Sequence, residues 1–127
     1  MIYVDSSVLL AELLAEDERP AATIWDETLV ASRLAHYEVW NRIHARGLTR
    51  SHGQSTRDLL ARLAIVELSP PVLERALEPF PEPVRTLDAL HLSTLAFLRG
   101  ARQTVALASY DDRLRRVASR LEIPLAF

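Results

Sequence analysis

The sequence of 127 residues contains no cysteine and no lysine. Without cysteine, the chain can form neither disulfides nor thiolate zinc sites, and it has no cysteine nucleophile. Any bound metal must therefore be held by oxygen atoms or by imidazole. All fifteen basic residues are arginine. Arginine suits bidentate contacts to phosphate, but it is also favoured by a GC-rich coding background, to which we give the larger weight.

Long apolar runs are missing as well. No apolar stretch approaches the roughly eighteen residues that are needed to cross a bilayer, so we expect no membrane span. Met1 leads directly into an apolar strand without a basic region or a small-residue cleavage site, which predicts a cytoplasmic protein without a signal peptide. A content of 49% hydrophobic and 25% charged residues predicts one globular domain over residues 1–127.

The net charge of −2 excludes a protein that binds nucleic acid through a strongly basic overall charge. The charge is nevertheless unevenly distributed, because the segment at residues 42–62 contains five arginines and only one acid, Asp58. Its arginines are Arg42, Arg46, Arg50, Arg57 and Arg62. This segment predicts either a phosphate-binding surface or an ordinary solvated helical face.

Short apolar runs alternate with segments of helical periodicity along the chain. Strands are predicted at residues 2–4, 29–31, 65–68, 104–108 and 124–127. Between them, helices are predicted with caps at Ser6 or Ser7 and at Thr86, a helix follows Pro20, and a polar stretch from Ser51 to Thr56 separates two helices of a hairpin. This alternation predicts an α/β sandwich with a mainly parallel central sheet.

Acidic residues recur at the boundaries of the predicted elements. Asp5 follows the first strand, Glu38 and Asp88 lie early in helices, and Asp111 and Asp112 follow a late strand. Each acid alone is readily explained as a helix cap or a partner of the helix dipole. The carboxyl ends of parallel strands share one edge, and carboxylates gathered there repel one another unless a cation such as Mg²⁺ neutralises them. Together, the acids predict phosphoryl chemistry at a divalent metal site.

These acids and their neighbours resemble the signature of PIN-domain ribonucleases, specifically the VapC-type toxins of type II toxin–antitoxin systems. The resemblance covers the whole chain and is carried by MIYVDSSVLL at 1–10, AHYEVW at 35–40, LDALHL at 87–92 and SYDDRL at 109–114. The last stretch has serine where the family has threonine, which keeps the hydroxyl. Spacing favours Asp111 as the family acid and leaves Asp112 as its neighbour or as a helix cap.

The resemblance implies a PIN-like three-layer α/β/α sandwich and a Mg²⁺- or Mn²⁺-dependent endoribonuclease. It makes Asp5, Glu38, Asp88 and Asp111 the catalytic acids, and three of them, Asp5, Asp88 and Asp111, the metal ligands. An ion held there would activate a water for attack on the phosphodiester. The supporting residues would be Ser7, Ser109 and Asp112, and the residues that contact RNA would be Arg42, Arg46 and Arg50.

The resemblance also implies partners. These are an RNA substrate such as tRNA or rRNA, a small antitoxin protein that silences the enzyme, and a second copy of the chain in a homodimer. Trp25, Trp40 and Leu48 are candidate anchors for an amphipathic antitoxin segment. The alternative for both tryptophans is that they belong to the core.

Two alternatives remain open at this point. His91, three residues after Asp88, is interpreted as a packing or supporting residue rather than a general base, because a metal ion already supplies the nucleophile. The whole chain is alternatively a catalytically silent PIN-like module that binds RNA or protein. The complete acidic set argues against that module, because a binding surface gains nothing from carboxylates that repel one another.

Overall fold

The computed structural model describes all 127 residues. Its four strands are parallel and form one sheet in the order β3-β2-β1-β4. The strands are β1 at Ile2–Val4, β2 at Leu29–Ser32, β3 at Ala64–Val66 and β4 at Ala106–Ala108. Because β1 has a neighbour on each side, the residue that leaves its carboxyl end, Asp5, lies at the middle of one sheet edge.

Six α-helices surround the sheet. They are α1 at Ser6–Leu13, α2 at Arg33–Ala45, α3 at Thr49–Leu60, α4 at Pro70–Ala76, α5 at Thr86–Gly100 and α6 at Asp112–Arg120. None of them combines the length and the apolar character that crossing a membrane requires.

Successive strand residues face opposite helical layers, as the pleat requires. Val4 and Ala108 belong to a core with α1, α2 and α3, whereas Tyr3 and Leu107 belong to a second core with α5 and α6. Helices therefore cover both faces of a parallel sheet. The predicted three-layer α/β/α sandwich with a parallel sheet is confirmed.

Side chains at the strand ends start the helices that follow them. Asp5 caps α1 by accepting from the Val8 N–H at 3.2 Å, and Ser32 caps α2 by accepting from the Leu34 N–H at 3.1 Å. The predicted cap at Ser6 or Ser7 is wrong, because the carboxylate of Asp5 reaches the free N–H. The predicted cap at Thr86 is also wrong, since Thr86 is already the first residue of α5.

Three further boundaries differ from the prediction. The residues from Ser51 to Thr56 lie inside α3, where their side chains form bonds within the helix, such as Gln54 to Asp58 at 2.8 Å. The helix expected after Pro20 is a short 3₁₀ turn at Ala22–Asp26. The carboxyl terminus forms a single parallel bridge between Leu107 and Leu125 instead of a strand.

Candidate active site

Asp5 lies at the centre of the site, and the residue is only 4% exposed. Its Oδ1 accepts from the Ser7 hydroxyl at 2.5 Å and from the Val8 N–H, and its Oδ2 accepts from the Ser109 hydroxyl at 2.5 Å. Burial raises the pKa of Asp5, while the two hydroxyls and the N–H act in the opposite direction. The carboxylate is therefore fixed in orientation but is costly to ionise.

The two serine hydroxyls also connect Asp5 to the turn that follows β4. Ser7 Oγ accepts from the Tyr110 N–H at 2.9 Å, and Ser109 Oγ accepts from the Asp111 N–H at 3.0 Å. Each hydroxyl thus donates to the carboxylate and accepts from the backbone. These four hydrogen bonds hold the segment that carries Asp111 against the end of β1.

Glu38 lies on α2 and contacts a buried histidine of α5. Glu38 Oε1 lies 2.6 Å from His91 Nε2, and His91 Nδ1 lies 2.6 Å from the hydroxyl of Tyr3. His91 is 3% exposed and Tyr3 is fully buried. Burial raises the pKa of Tyr3 well above its usual value, with the charges of Asp5 and Glu38 as further causes. The phenol is therefore neutral.

Asp88 and Asp111 come from the first turn of α5 and the N-cap of α6. Burial raises the pKa of Asp88, and the charge of Asp111 adds to this effect. Asp111 Oδ1 accepts from the Arg113 and Leu114 N–H groups at 2.9 and 3.1 Å. The cap of α6 is therefore Asp111, and of the two roles that the sequence left open for Asp112, only that of a neighbour remains.

Carboxylate oxygens are the donors that Mg²⁺ and Mn²⁺ take in proteins, so the donor type fits a hard divalent ion. In the side-chain positions described here, no three aspartate, glutamate or histidine side chains converge closely enough to hold an ion. Asp5 and Asp111 instead use oxygen atoms to accept from hydroxyls and N–H groups. Both retain acceptor capacity, because a carboxylate has about four lone-pair positions.

The remaining predicted site residues are three arginines and Asp112. Arg42 and Arg46 line an open groove that reaches Ser7 and Tyr110, and neither arginine forms a salt bridge. The groove also contains acids, Glu16 and Glu18. Arg50 is exposed on α3 and does not line it, and Asp112 is exposed and makes no hydrogen bond to Asp5.

The candidate antitoxin anchors are partly buried. Trp25, Trp40 and Leu48 pack against the core formed with α1, α2 and α3. The ring of Trp40 is stacked with His44 at a centroid distance of 5.5 Å, and the Arg57 guanidinium lies 5.9 Å from its centroid. Trp40 therefore already has neighbours on its ring.

The sequence did not indicate the contacts of Tyr3 and His91. Tyr3 lies in the strand predicted at residues 2–4, and a tyrosine in a buried strand needs a partner for its hydroxyl. A histidine in the helix that carries Asp88 is a candidate for that partner. The partner lies 88 residues away in sequence.

The chain is similar to known proteins over almost its whole length. The family described as PIN domain matches residues 2–120. Ribonuclease VapC46 of Mycobacterium tuberculosis is 34% identical over 123 residues, which cover 94% of this chain and 92% of the relative. Ribonuclease VapC47 of the same species is 33% identical over 121 residues, which cover 90% of this chain and 87% of the relative.

A solved structure described as a toxin–antitoxin complex from Klebsiella pneumoniae shares the fold. It superposes with a TM-score of 0.66 over 87% of both chains, at 20% sequence identity. At that identity, the likeness concerns the fold alone.

Proposed function

Because the chain belongs to the PIN-domain family and is related to its VapC ribonucleases, we propose that it is a metal-dependent endoribonuclease toxin. The reaction is hydrolysis of RNA phosphodiester bonds, with Mg²⁺ or Mn²⁺ as the cofactor. The observation that carries this proposal is the buried carboxylate of Asp5, which three donors orient at the sheet edge. Ser109 connects this carboxylate to the backbone of Asp111, and the charge of Asp111 acts in turn on Asp88.

In this proposal Asp5, Asp88 and Asp111 hold the ion, and Glu38 is the fourth catalytic acid. A bound divalent ion lowers the pKa of a water molecule and stabilises charge on the leaving oxygen. Ser7 and Ser109 keep the two oxygens of Asp5 in place and favour its ionised form. Burial raises the pKa of both Asp5 and Asp88, and the positive charge of a bound ion would lower both pKa values again.

The RNA backbone lies, in this proposal, across the groove beside Ser7. Neither Arg42 nor Arg46 forms a salt bridge with the acids of this groove, so both are available to neutralise phosphates. Arg50 extends the same positive surface onto α3. Structured RNA such as tRNA or rRNA is the substrate class, and the enzyme acts in the cytoplasm.

Two protein partners complete the proposal. A small antitoxin silences the enzyme. Copurification of the chain with the product of the neighbouring reading frame tests this, and we expect a complex at micromolar concentration.

The chain also forms a homodimer. Its most exposed large apolar residue is Leu77, at 86%, which together with Leu73 lines an apolar groove between α4 and α5. We expect the second copy to cover this groove.

Cleavage of structured RNA by purified protein tests the activity. We expect cleavage with Mg²⁺, none in EDTA, and recovery when Mg²⁺ is added back. Asp5→Asn should abolish cleavage, whereas Asp26→Asn, which changes an exposed acid outside the site, should not. Equal cleavage by Asp5→Asn in EDTA would overturn the proposal. RNA binding with no cleavage under any metal condition would instead support the catalytically silent module.

A further inference from the structure

A buried chain of hydrogen bonds runs from the sheet to Glu38. The hydroxyl of Tyr3 on β1 lies 2.6 Å from His91 Nδ1, and His91 Nε2 lies 2.6 Å from Glu38 Oε1. Three elements, β1, α5 and α2, each contribute one of these residues. The chain ends at the carboxylate, because Oε2 of Glu38 makes no hydrogen bond.

The chemistry of the partners fixes where the ring hydrogen lies. An ionised Glu38 carboxylate only accepts, so His91 Nε2 must carry a hydrogen and donate it. The neutral phenol of Tyr3 can donate to Nδ1, which leaves that nitrogen as an acceptor. Of the two neutral forms of the imidazole, only the one with hydrogen on Nε2 fits these contacts, because the opposite tautomer would place Nε2 and the Glu38 oxygen, both acceptors, against each other.

We propose that His91 is a positioning residue that holds Glu38 for the reaction, and that Tyr3 fixes the tautomer with which it does so. The inference rests on the proposed function for its effect on catalysis, whereas the hydrogen-bond chain itself can be tested without activity. His91 is the residue through which the phenol on β1 is connected to the carboxylate on α2.

Anchoring matters for Glu38 because of its side chain. A glutamate has three rotatable bonds and loses substantial rotamer freedom when it is fixed. Here, one oxygen is fixed by a buried partner, and the side chain is only 18% exposed. Packing alone would restrain the carbon atoms but would not orient the carboxylate, so we assign the orientation to the bond from His91.

The first test is the tautomer of His91, measured by ¹⁵N NMR of the histidine rings in the intact protein. We expect a single Nε2–H tautomer in the wild type and a change in the His91 signals in Glu38→Ala. Glu67→Ala is the control, since Glu67 forms a salt bridge with Arg33 and its charge acts on His36 rather than on His91. It should change the signals of His36 and leave those of His91 as they are. A tautomer mixture in the wild type, or His91 signals unaffected by Glu38→Ala, would overturn the inference.

The second test compares two replacements of His91 in the RNA cleavage assay. His91→Gln keeps a donor near the position of Nε2, whereas His91→Asn keeps a polar group near Nδ1 and loses the contact with Glu38. We expect His91→Asn to lower kcat by about 10- to 100-fold and His91→Gln to restore most of the loss. If both variants fold and cleave alike, the imidazole acts only by filling space and the inference fails.

The two tests separate this inference from the proposed function. If no variant or wild-type protein cleaves RNA, the ribonuclease proposal fails, and the NMR result still decides whether His91 orients Glu38. If the wild type cleaves and the His91 variants match it, the positioning role fails and the ribonuclease proposal stands. Melting curves of both His91 variants show which rates come from folded protein.

Discussion

Removing the hydroxyl of Ser109 should destabilise the protein in a way that depends on the charge of Asp5. In the folded protein this hydroxyl donates to Asp5 Oδ2 at 2.5 Å and accepts from the Asp111 N–H at 3.0 Å. Ser109→Ala leaves the buried carboxylate with only two of its three donors. The substitution changes little volume, so its main effect is electrostatic.

The size of the effect follows from the type of bond. Hydrogen bonds to charged groups contribute about 1.5–3 kcal/mol, compared with about 1 kcal/mol for neutral pairs. We therefore expect Ser109→Ala to lower the free energy of unfolding by about 2 kcal/mol at pH 7. With an unfolding entropy of about 2.1 cal/mol/K per residue, this corresponds to a decrease of about 7 °C in the melting midpoint.

The sign of the pH dependence follows from the pKa of Asp5, which burial raises above its unfolded value. Below the unfolded pKa, Asp5 is neutral in both states, and the lost bond costs only about 1 kcal/mol. Removal of the Ser109 donor raises the folded pKa further, so the variant binds more protons when folded and loses stability relative to the wild type as pH rises. The deficit should therefore grow from acid to neutral pH.

Urea denaturation in EDTA at several pH values measures this deficit, with Ser119→Ala as the control because Ser119 is an exposed serine of α6. The same substitution in the Asp5→Asn background should cost about 1 kcal/mol, since the charge is gone. A deficit that is equal at all pH values, and equal in the Asp5→Asn background, would refute the reasoning.

Three further outcomes are expected. Asp88→Asn should abolish cleavage. It should leave the metal-free protein as stable as wild type or up to about 1 kcal/mol more stable, because burial and the charge of Asp111 oppose ionisation of Asp88. If the variant melted several degrees lower than wild type in EDTA and responded equally to Mg²⁺, Asp88 would be a structural residue. Changing both Arg42 and Arg46 to alanine should weaken RNA binding and reduce the slope of log K against log salt by about 1.4 to 1.8. An unchanged slope, measured by fluorescence anisotropy, would mean that both arginines lie on an ordinary solvated surface. Leu77→Glu should halve the mass measured by light scattering, and an unchanged dimer would place the interface elsewhere.

Local signals in the sequence predicted most of the fold. The apolar run before Asp5 predicted β1, and the helical periodicity that follows Thr86 predicted α5. Such features depend on neighbouring residues, which is why pattern and propensity suffice. The strand predicted at residues 124–127 is wrong, because only Leu125 pairs with β4. A single bridge leaves no periodic pattern in the sequence.

The contacts of the site depend on residues that are far apart in sequence. The motifs placed Asp5, Ser7 and Ser109 at one edge, but the bond from Ser109 to Asp5 joins residues 104 positions apart. His91 was expected to pack or support, and its two specific partners became visible only when β1, α2 and α5 were assembled. No spacing within one element encodes such a contact.

We propose that the acids around Asp5 bind a divalent metal ion. Crystals of the wild-type protein soaked with Mn²⁺, with diffraction recorded for anomalous scattering, would show such an ion. We expect an anomalous peak in contact with carboxylate oxygens of Asp5 and of Asp88 or Asp111, and no such peak in Asp5→Asn crystals. A wild-type crystal with no peak at these carboxylates, from protein that cleaves RNA in EDTA, would contradict it.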